Sequence, residues 1–311
     1  MSNTTIAILG AGALGSAFAV RFFSAPSCRP LLVARGERRE RLQRDGLVVN
    51  EKRYVIPVVA PEEAASPADL IVVALKHHHL PGAVHDLHDL VGAQTTILSV
   101  MNGLDSETTL GAVYGMDKVL YAVSVGIDAV RQGNQVTYTR PGKLYFGEAT
   151  NTPPSERVRR VGALLEQAGI VHETPPDMMR MMWWKFMVNV GINQASAVTR
   201  APYGTFQRSP EAQALMEALM RESVALAQAE GIDLTEGDVQ AWYPVMNGLS
   251  PEGKTSMLQD IEAGRKTEVE MFAGKVVELG AKYGIPTPVN QTVLQIIHVL
   301  EHQAEAVCSG R

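Results

Sequence analysis

Three polar side chains stand four residues apart in an otherwise apolar stretch of the second half of the chain. They are Lys185, Asn189 and Asn193, and their neighbours are mainly aromatic or aliphatic. On a helix this spacing leaves only about 40° of drift per step, so the three lie along one side. The apolar surroundings predict that this side faces inward. Desolvation there lowers the pKa of a lysine and makes it a usable proton donor near neutral pH, while the two amides can hydrogen-bond an alcohol and a carboxylate.

The same pattern also has a purely structural interpretation. A lysine at this position can form an ion pair between domains, and two asparagines can pack one helix against another. The catalytic interpretation therefore needs a second part of the chain that supplies a reaction for the proton donor.

A glycine-rich hexapeptide near the start of the chain predicts such a part, Gly10-Ala11-Gly12-Ala13-Leu14-Gly15. It follows an apolar strand pattern over residues 5–9 and precedes a helical pattern over residues 14–23. In such a G-x-G-x-x-G motif the three glycines permit a tight turn, close approach of a pyrophosphate, and packing of helix on strand. The phosphates lie against backbone N–H groups at the helix N-terminus. The motif predicts dinucleotide binding, and the alternative is a turn that only connects two elements.

The end of the second predicted strand, residues 30–34, bears on the choice between NAD and NADP. An NAD site usually offers an acid there to the ribose 2′-hydroxyl, but this strand runs into Arg35, followed by Arg38 and Arg39. A guanidinium suits a 2′-phosphate, so the sequence favours NADP. Glu37 is a competing candidate two residues beyond Arg35. The basic run at residues 35–44 is otherwise the solvated face of a helix start, and no interleaved aromatic residues suggest a nucleic-acid surface.

Strand and helix patterns alternate through the first half, which predicts a mostly parallel, doubly wound α/β sheet. Beyond the strands already named, the pattern predicts a hairpin at residues 47–59, buried strands at 70–75 and 95–100, strands at 119–127 and 136–146, a helix at 156–168 and an edge strand at 170–172. Beyond Pro175 and Pro176 only helices are predicted, over residues 177–197, 211–230, 236–245, 256–283 and 289–305. We therefore expect a dinucleotide-binding domain over residues 1–175 and a helical substrate and catalytic domain over residues 176–311.

Composition excludes several classes of protein. Hydrophobic residues make up 46% of the 311 residues and the formal net charge is -5, so neither disorder nor polyanion binding is expected. The two cysteines, Cys28 and Cys308, offer no disulfide framework or thiolate metal site. Ser2, Asn3 and Thr4 precede an apolar run too short for a signal-peptide core, and no segment approaches the ~20 apolar residues of a membrane span. We expect a cytosolic protein that binds neither membrane nor nucleic acid.

Taken together, these features resemble the ketopantoate reductase (2-dehydropantoate 2-reductase) family over almost the whole chain. The resemblance lies in the order and spacing of six motifs, namely the glycine hexapeptide, Leu75-Lys76, Asn102-Gly103-Leu104, Trp184-Lys185 with Asn189 and Asn193, Ser256-Met257-Leu258-Gln259-Asp260, and Thr267-Glu268. It implies an N-terminal Rossmann domain followed by an all-helical domain like that of 6-phosphogluconate dehydrogenase. It also implies NADPH-dependent reduction of 2-dehydropantoate to pantoate, a step of pantothenate biosynthesis.

The resemblance further implies roles for individual residues. Lys185 is the general acid that protonates the ketone, and Glu268 positions the substrate by hydrogen-bonding its hydroxyl. Asn189, Asn193 and Ser256 correspond to substrate-binding positions. Lys76, Asn102 and Ala129 correspond to cofactor contacts, at the strand ends where a doubly wound fold binds its ligand.

Structural alternatives accompany these assignments. Ser256 with Gln259 forms a capping box, and on one regular helix Ser256 and Glu268 stand about 120° apart. They therefore meet one substrate only if Ser256 approaches from the helix start. Lys76 can be an ordinary strand-end lysine, and Asn102-Gly103 an ordinary turn.

Departures from the family pattern cluster near the expected cleft. The run His77-His78-His79 follows Lys76, but adjacent side chains diverge and no further ligand completes a metal site, so no metal is predicted. Tyr203 stands where the family can carry a substrate-contacting asparagine, Asp105 where a glycine is common, and Met101 where a polar residue is usual. These changes leave open a related reductase of another 2-oxo acid and, in a different class, a non-catalytic NADP-binding sensor. The oligomeric state stays open, with a homodimer through the helical half as one prediction.

Overall fold

The computed structural model describes residues 4–308, with side chains as far as residue 306. The chain forms two compact units, Met1–Met182 and Trp183–Arg311. Cys28 is buried and forms no disulfide with any described residue. Ser2 and Asn3, and the side chain of Cys308, lie outside the described residues.

An eight-stranded sheet dominates the first unit, as the alternating pattern predicts. Its strands, in chain order, are β1 (Thr4–Leu9), β2 (Cys28–Val33), β5 (Val58–Val59), β6 (Leu70–Val73), β7 (Thr96–Ser99), β8 (Val119–Ile127), β11 (Pro141–Gly147) and β12 (His172–Glu173). Their spatial order is β12-β11-β8-β7-β6-β1-β2-β5. Strand β11 runs antiparallel to β8, and the remaining neighbours are parallel. The strand order changes direction between β1 and β6, which is where a doubly wound sheet opens its ligand crevice.

Both faces of this sheet are covered. Alternate residues of β1 belong to different cores, because successive side chains point to opposite faces. Ile6 and Ile8 pack in one cluster with Phe18, whereas Ala7 and Leu9 pack in a second cluster. The helices of this unit are α1 (Ala13–Phe23), α2 (Gly36–Asp45), α3 (Leu80–Ala83), α4 (Ser106–Tyr114) and α5 (Glu156–Gln167). This is the Rossmann architecture expected from the sequence.

A small second sheet contains β3 (Leu47–Val49), β4 (Lys52–Tyr54), β9 (Val130–Gln132) and β10 (Gln135–Thr137), in the order β4-β3-β10-β9. The predicted hairpin at residues 47–59 is present as β3 and β4. The single strand predicted over residues 136–146 is wrong, because β10 and β11 lie in different sheets. The Asp128 carboxylate accepts hydrogen bonds from the backbone N–H groups of Thr139 and Arg140, each at 2.8 Å, and this turn interrupts the strand.

The second unit is all helical within the described residues. Helix α6 (Met178–Val188) contains the division between the units, and the others are α7 (Gln194–Thr199), α8 (Tyr203–Phe206), α9 (Pro210–Ala229), α10 (Glu236–Asn247), α11 (Ser256–Glu262), α12 (Lys275–Tyr283) and α13 (Pro288–Cys308). Two π-helical turns interrupt the regular helices. The first π-turn is Asn189–Asn193, between α6 and α7, and the second π-turn is Glu270–Gly274, at the start of α12.

The continuous helix predicted over residues 256–283 is wrong. It ends at Glu262, and residues 263–269 form an irregular segment before the second π-turn. Gly264 has a φ of +61°, which ends the helix. The capping box expected at Ser256 and Gln259 is also wrong, because Thr255 is the N-cap and its hydroxyl accepts from the Leu258 N–H at 3.1 Å. The 120° separation expected for Ser256 and Glu268 therefore does not apply.

Candidate active site

The glycine loop at the end of β1 leaves room where a pyrophosphate has to approach. A Cβ built on Gly12 has no heavy atom within 4 Å, whereas one on Gly15 collides with the carbonyl oxygen of Gly10. Gly10 has a φ of +106°, and a Cβ there would lie 2.5 Å from the Ala74 oxygen. Gly10 and Gly15 thus permit the turn and the packing of α1 on β1, while Gly12 keeps the approach open. The loop fits a dinucleotide pyrophosphate.

The N-terminus of α1 has the polarity that phosphates require. Its N-cap is Gly12, no side chain caps the helix, and no acidic residue lies in the first turn. The first N–H groups of a helix have no intrahelical acceptor, and they lie at the positive end of the helix dipole. An anion is the natural partner for this helix end.

The other cofactor positions predicted from the sequence lie along the same sheet edge. Lys76 follows β6, Asn102 follows β7, and Ala129 follows β8, and all three are half-buried. Strands β1, β6, β7 and β8 are parallel neighbours, so their carboxyl ends share one edge. The structure therefore brings these three residues to the edge that carries the glycine loop.

Arg35 lies at the N-cap of α2, between two acidic side chains. Its Nε donates to Asp86 Oδ1 at 2.9 Å, and its Nη1 lies 2.9 Å from Glu62 Oε2. The guanidinium predicted to bind a 2′-phosphate is thus paired with two carboxylates in this structure.

A separate group of cations lies near the glycine loop, and its assembly could not be predicted from the sequence. Arg131, on β9, donates from Nη1 to the Ala11 carbonyl oxygen at 3.4 Å. Burial lowers the pKa of Arg38, and the charges of Arg131 and Arg41 lower it further. Burial likewise lowers the pKa of His79, helped by the charges of Arg38 and Lys76. We call Lys76, Arg38 and Arg131 the cation cluster, beside which His79 is neutral near pH 7. The sequence did not single out Arg131, and it suggested only a metal site for His79, because both residues are remote in sequence from the glycine loop.

A buried acid lies next to the Asn102 turn. Glu107, in the first turn of α4, is only 1% exposed, and the Ser106 hydroxyl donates to its Oε2 at 2.9 Å. Its Oε1 has no hydrogen-bond partner among the described residues. Burial raises the pKa of Glu107 to about 7, so it is largely protonated below neutral pH. Glu107 could not be singled out from the sequence, because its buried surroundings form only when the chain folds.

Lys185 is set into an aromatic part of α6. Trp183 packs edge-on against Phe186, Trp184 against Trp242, and Phe186 lies 6.4 Å from Phe272 between ring centres. Burial alone lowers the pKa of Lys185 to about 8. An ammonium group with this pKa can release its proton near neutral pH.

Asn189 and Asn193 are buried, at 3% and 6% exposure, and they are the first and last residues of the first π-turn. On a regular helix, a rotation of four residues exceeds one full turn. In a π-turn, whose hydrogen bonds join residues i and i+5, a rotation of four residues falls short of one full turn. The two deviations offset each other, so Lys185, Asn189 and Asn193 lie closer to one line than a regular helix allows.

Glu268 lies in the irregular segment before the second π-turn and is half-buried. Its carbonyl oxygen accepts from the backbone N–H groups of Met271 and Phe272, at 3.1 and 3.2 Å. The preceding residue, Thr267, donates from its N–H and its hydroxyl to Glu301 Oε1, at 2.7 and 2.6 Å. These bonds fix the backbone on both sides of Glu268. Ser256, in contrast, is exposed at the start of α11.

Two family models match almost the full length of the protein. The family described as "Ketopantoate reductase PanE/ApbA" matches residues 6–151, and its C-terminal part, "Ketopantoate reductase PanE/ApbA C terminal", matches residues 177–301. The chain belongs to the ketopantoate reductase family. It is therefore an oxidoreductase acting on CH–OH groups with a nicotinamide dinucleotide cofactor.

Individual ketopantoate reductases are similar over their whole length. The 2-dehydropantoate 2-reductase of Halobacterium salinarum is 28% identical over 302 residues, which cover 95% of this chain and 98% of that protein. A ketopantoate reductase structure from Ralstonia eutropha has a TM-score of 0.84 at 25% identity, over 97% of this chain and all of that one. A D-mandelate dehydrogenase bound to NADH and anilino(oxo)acetate has a TM-score of 0.89 at 22% identity, with the same coverage, and shares the fold.

The described residues contain neither a metal-binding cluster nor a membrane-spanning helix. No group of three or more His, Cys, Asp or Glu side chains there is arranged to hold a metal ion. In the same part of the chain, no helix is long and apolar enough to cross a membrane.

Proposed function

We propose that this protein reduces 2-dehydropantoate to pantoate with NADPH. The observation that carries the proposal is Lys185, whose pKa burial lowers to about 8, in line with two buried asparagines in a chain of the ketopantoate reductase family. This combination provides a proton donor and two amides for one polar substrate. A purely structural helix has no need for a desolvated lysine.

The reaction requires a hydride and a proton. Bound NADPH supplies the hydride from its nicotinamide ring. Lys185 Nζ donates a proton to the ketone oxygen, and its charge stabilises the negative charge that develops on that oxygen. The neutral amine then takes a proton from solvent before the next turnover, which a pKa of about 8 permits near neutral pH.

The remaining polar residues orient the substrate. Asn189 and Asn193 offer amide donors and acceptors to its hydroxyl and carboxylate. Glu268, with its backbone fixed on both sides, accepts from the substrate hydroxyl and keeps the ketone beside the lysine. Ser256 contributes a hydroxyl from the start of α11.

We assign the cofactor preference to the cation cluster as well as to Arg35. The three cationic side chains of the cluster, Lys76, Arg38 and Arg131, provide an electrostatic site for a 2′-phosphate. No carboxylate of the described residues forms an ion pair with Arg38, whereas Arg35 has two such partners. Arg38 is therefore the stronger candidate for the 2′-phosphate, and both residues favour NADPH over NADH.

Reduction of a different 2-oxo acid is the second candidate function, and Tyr203 favours it. This residue replaces a substrate-contacting asparagine of the family, and its ring lies against Gly253, where a Cβ would be 3.1 Å from Tyr203 Cδ2. Burial raises the pKa of Tyr203 to about 12, so its hydroxyl stays neutral. A bulky neutral ring offers less hydrogen bonding than an amide and more apolar contact. A dehydrogenase named for mandelate, an aromatic acid, shares this fold.

The test is NADPH oxidation, followed by absorbance, with a panel of 2-oxo acids that includes 2-dehydropantoate and an aromatic 2-oxo acid. The proposal predicts the highest kcat/KM for 2-dehydropantoate. A higher kcat/KM for another 2-oxo acid supports the second candidate function and contradicts the first. NADPH binding without turnover of any acid contradicts both and favours the sensor.

A further inference from the structure

The two π-turns of the second unit pose a hydrogen-bonding problem. The first joins α6 to α7 and the second forms the start of α12, and their i→i+5 bonding leaves backbone groups without α-helical partners. Buried backbone groups left in this state are destabilising by about 1–3 kcal/mol each unless another group pairs with them. Both turns are largely buried, so each needs a partner from elsewhere in the fold.

In the second π-turn the unpaired group is the N–H of Ala273. Its α-helical acceptor would be the Val269 carbonyl, but that oxygen accepts from the Gly274 N–H at 3.0 Å, five residues on. The Ala273 N–H instead donates to Gln194 Oε1 at 2.9 Å. A side chain from the other π-bearing helix thus takes the place of the missing acceptor.

In the first π-turn the same side chain is the donor. The backbone N–H of Gln194 donates to Gly191 O, and not to Val190 O as in an α-helix. Gln194 Nε2 donates to the Val190 carbonyl at 2.8 Å. Gln194 is 0% exposed, so no water substitutes for these bonds. One buried amide therefore pairs with a backbone group of each π-turn.

A second buried amide fixes the orientation of Gln194. Its Nε2 also donates to Asn290 Oδ1 at 2.9 Å, and Asn290 Nδ2 donates to Glu222 Oε2 at 2.7 Å. Glu222 in turn accepts from the N–H groups of Val289 and Asn290, at 2.9 and 3.0 Å, at the start of α13. Rotation of the Gln194 amide by 180° would place donor against donor or acceptor against acceptor at every contact. Only one orientation therefore satisfies the hydrogen-bond network.

We propose that Gln194 is a positioning residue that holds the turn carrying Asn189 and Asn193 in register with the turn that follows Glu268. The role in catalysis rests on the proposed function, since those residues are its substrate-binding groups. Gln194 itself is buried beneath them and acts through the backbone.

The test variant is Gln194→Glu, which keeps the shape and replaces the Nε2 donor by an oxygen. When ionised, that oxygen faces the Val190 carbonyl and Asn290 Oδ1. Repulsion between these oxygens displaces the side chain, so the Ala273 N–H also loses its acceptor. We expect kcat for the preferred 2-oxo acid to fall roughly 100-fold at pH 8, the scale of an ångström misplacement in an active site. The Kd for NADPH, measured by fluorescence, should stay unchanged because the glycine loop belongs to the other unit.

Acidification provides a rescue that a merely structural role would not give. Burial and the nearby charge of Glu222 raise the pKa of the introduced carboxyl, and its protonated form again donates a hydrogen bond. The ratio of variant to wild-type kcat should therefore recover at least tenfold from pH 8 to pH 6. A ratio that does not change with pH, or an unchanged kcat with only a lower Tm, overturns the proposal.

Gln213→Glu is the matched control. Gln213 is half-buried in the same unit, and its Nε2 donates to a backbone carbonyl, Phe206 O, at 2.8 Å, with no bond to either π-turn. This control should keep the wild-type kcat and its pH dependence. A loss equal to that of Gln194→Glu would show that any such substitution in the helical unit impairs turnover, and would overturn the assignment.

Hydrogen exchange separates this proposal from the proposed function. In the wild-type protein the Ala273 amide should exchange slowly, and in Gln194→Glu at pH 8 at least tenfold faster. If the wild-type protein reduces no acid in the panel, the proposed function fails, and the Ala273 amide decides whether Gln194 locks the turns. Unchanged protection in the variant contradicts that lock whatever the activity.

Discussion

At the scale of single residues, the cations and acids near the glycine loop bear on the proposed preference for NADPH. Arg35 is paired with Asp86 and Glu62, whereas Arg38 is surrounded by other basic groups. A phosphate that binds Arg38 relieves repulsion, but one that binds Arg35 has to compete with two carboxylates. The sequence pattern pointed to Arg35, and the structure adds Arg38 as the more available charge.

This difference gives a prediction for two alanine variants. We expect Arg38→Ala to raise the KM for NADPH about tenfold or more, equal to about 1.4 kcal/mol, and to leave the KM for NADH nearly unchanged. Arg35→Ala should show the same preference with a smaller loss. Steady-state kinetics with both cofactors measures this, and equal losses for NADPH and NADH in both variants would remove the 2′-phosphate role.

Glu107 predicts a pH-dependent stability. Its pKa rises from 4.5 to about 7 on folding. The unfolded chain therefore releases this proton at a lower pH than the folded protein does. The contribution to stability is complete below pH 4.5 and is lost as the pH rises through 7, a change of roughly 3 kcal/mol. Glu107→Gln removes this titration, so its Tm relative to wild type should rise between pH 5 and pH 8. A Tm difference that stays constant over that range would show that Glu107 is ionised in the folded protein.

Removal of the lysine amine tests its role directly. We expect Lys185→Ala to lower kcat for the preferred 2-oxo acid by about 100-fold or more, with the Kd for NADPH nearly unchanged. Rapid-mixing kinetics and fluorescence titration measure the two quantities. An unchanged kcat would remove the general-acid assignment.

At the scale of elements, the junction of β1 and α1 separates packing from ligand binding. Gly15→Ala places a methyl group against the Gly10 carbonyl oxygen, whereas Gly12→Ala places one in open space. We expect Gly15→Ala to destabilise the cofactor-free protein by about 1–3 kcal/mol or more, since the interior has no space for the methyl group. Gly12→Ala should leave the Tm unchanged and raise the Kd for NADPH at least about tenfold, or about 1.4 kcal/mol.

Thermal unfolding without cofactor, followed by NADPH titration, distinguishes the two variants. If Gly12→Ala binds NADPH as tightly as wild type, the pyrophosphate does not pass over that glycine. If Gly15→Ala is as stable as wild type, α1 does not depend on close contact with β1.

The elements that follow a local pattern could be predicted from the sequence. The apolar run of β6 and the glycine loop are local signals, and the Rossmann fold follows from them. The break between β10 and β11 could not be predicted, because it depends on the Asp128 carboxylate eleven residues from Thr139. The first π-turn preserves the apolar pattern of its helix, and the partner of the second is Gln194, 79 residues from Ala273.

The candidate site divides in the same way. The order and spacing of the family motifs were sufficient to name Lys185 and the two asparagines. The cation cluster was not predictable as a group, because Arg131 meets Ala11 across 120 residues. The Glu107 surroundings likewise arise only when the sheet edge forms.

At the scale of the whole molecule, the residues of the proposed chemistry are divided between the two units. The glycine loop and cation cluster belong to Met1–Met182, whereas the lysine, the amides and Glu268 belong to Trp183–Arg311. Variants of the first unit should therefore change cofactor binding, and variants of the second should change turnover. The homodimer through the helical half stays a prediction, which light scattering of the purified protein can measure.

The pH dependence of kcat/KM for the preferred 2-oxo acid tests the central claim most directly, because it reports the free enzyme's essential acid. With NADPH, we predict that kcat/KM falls tenfold for each pH unit above about 8, the pKa of Lys185. Lys185→Arg keeps the charge but cannot donate a proton in this range, so its much lower kcat/KM should lack this decline. A wild-type profile that stays flat to pH 10, or a decline at pH 8 that persists in Lys185→Arg, would contradict the assignment of Lys185 as the proton donor.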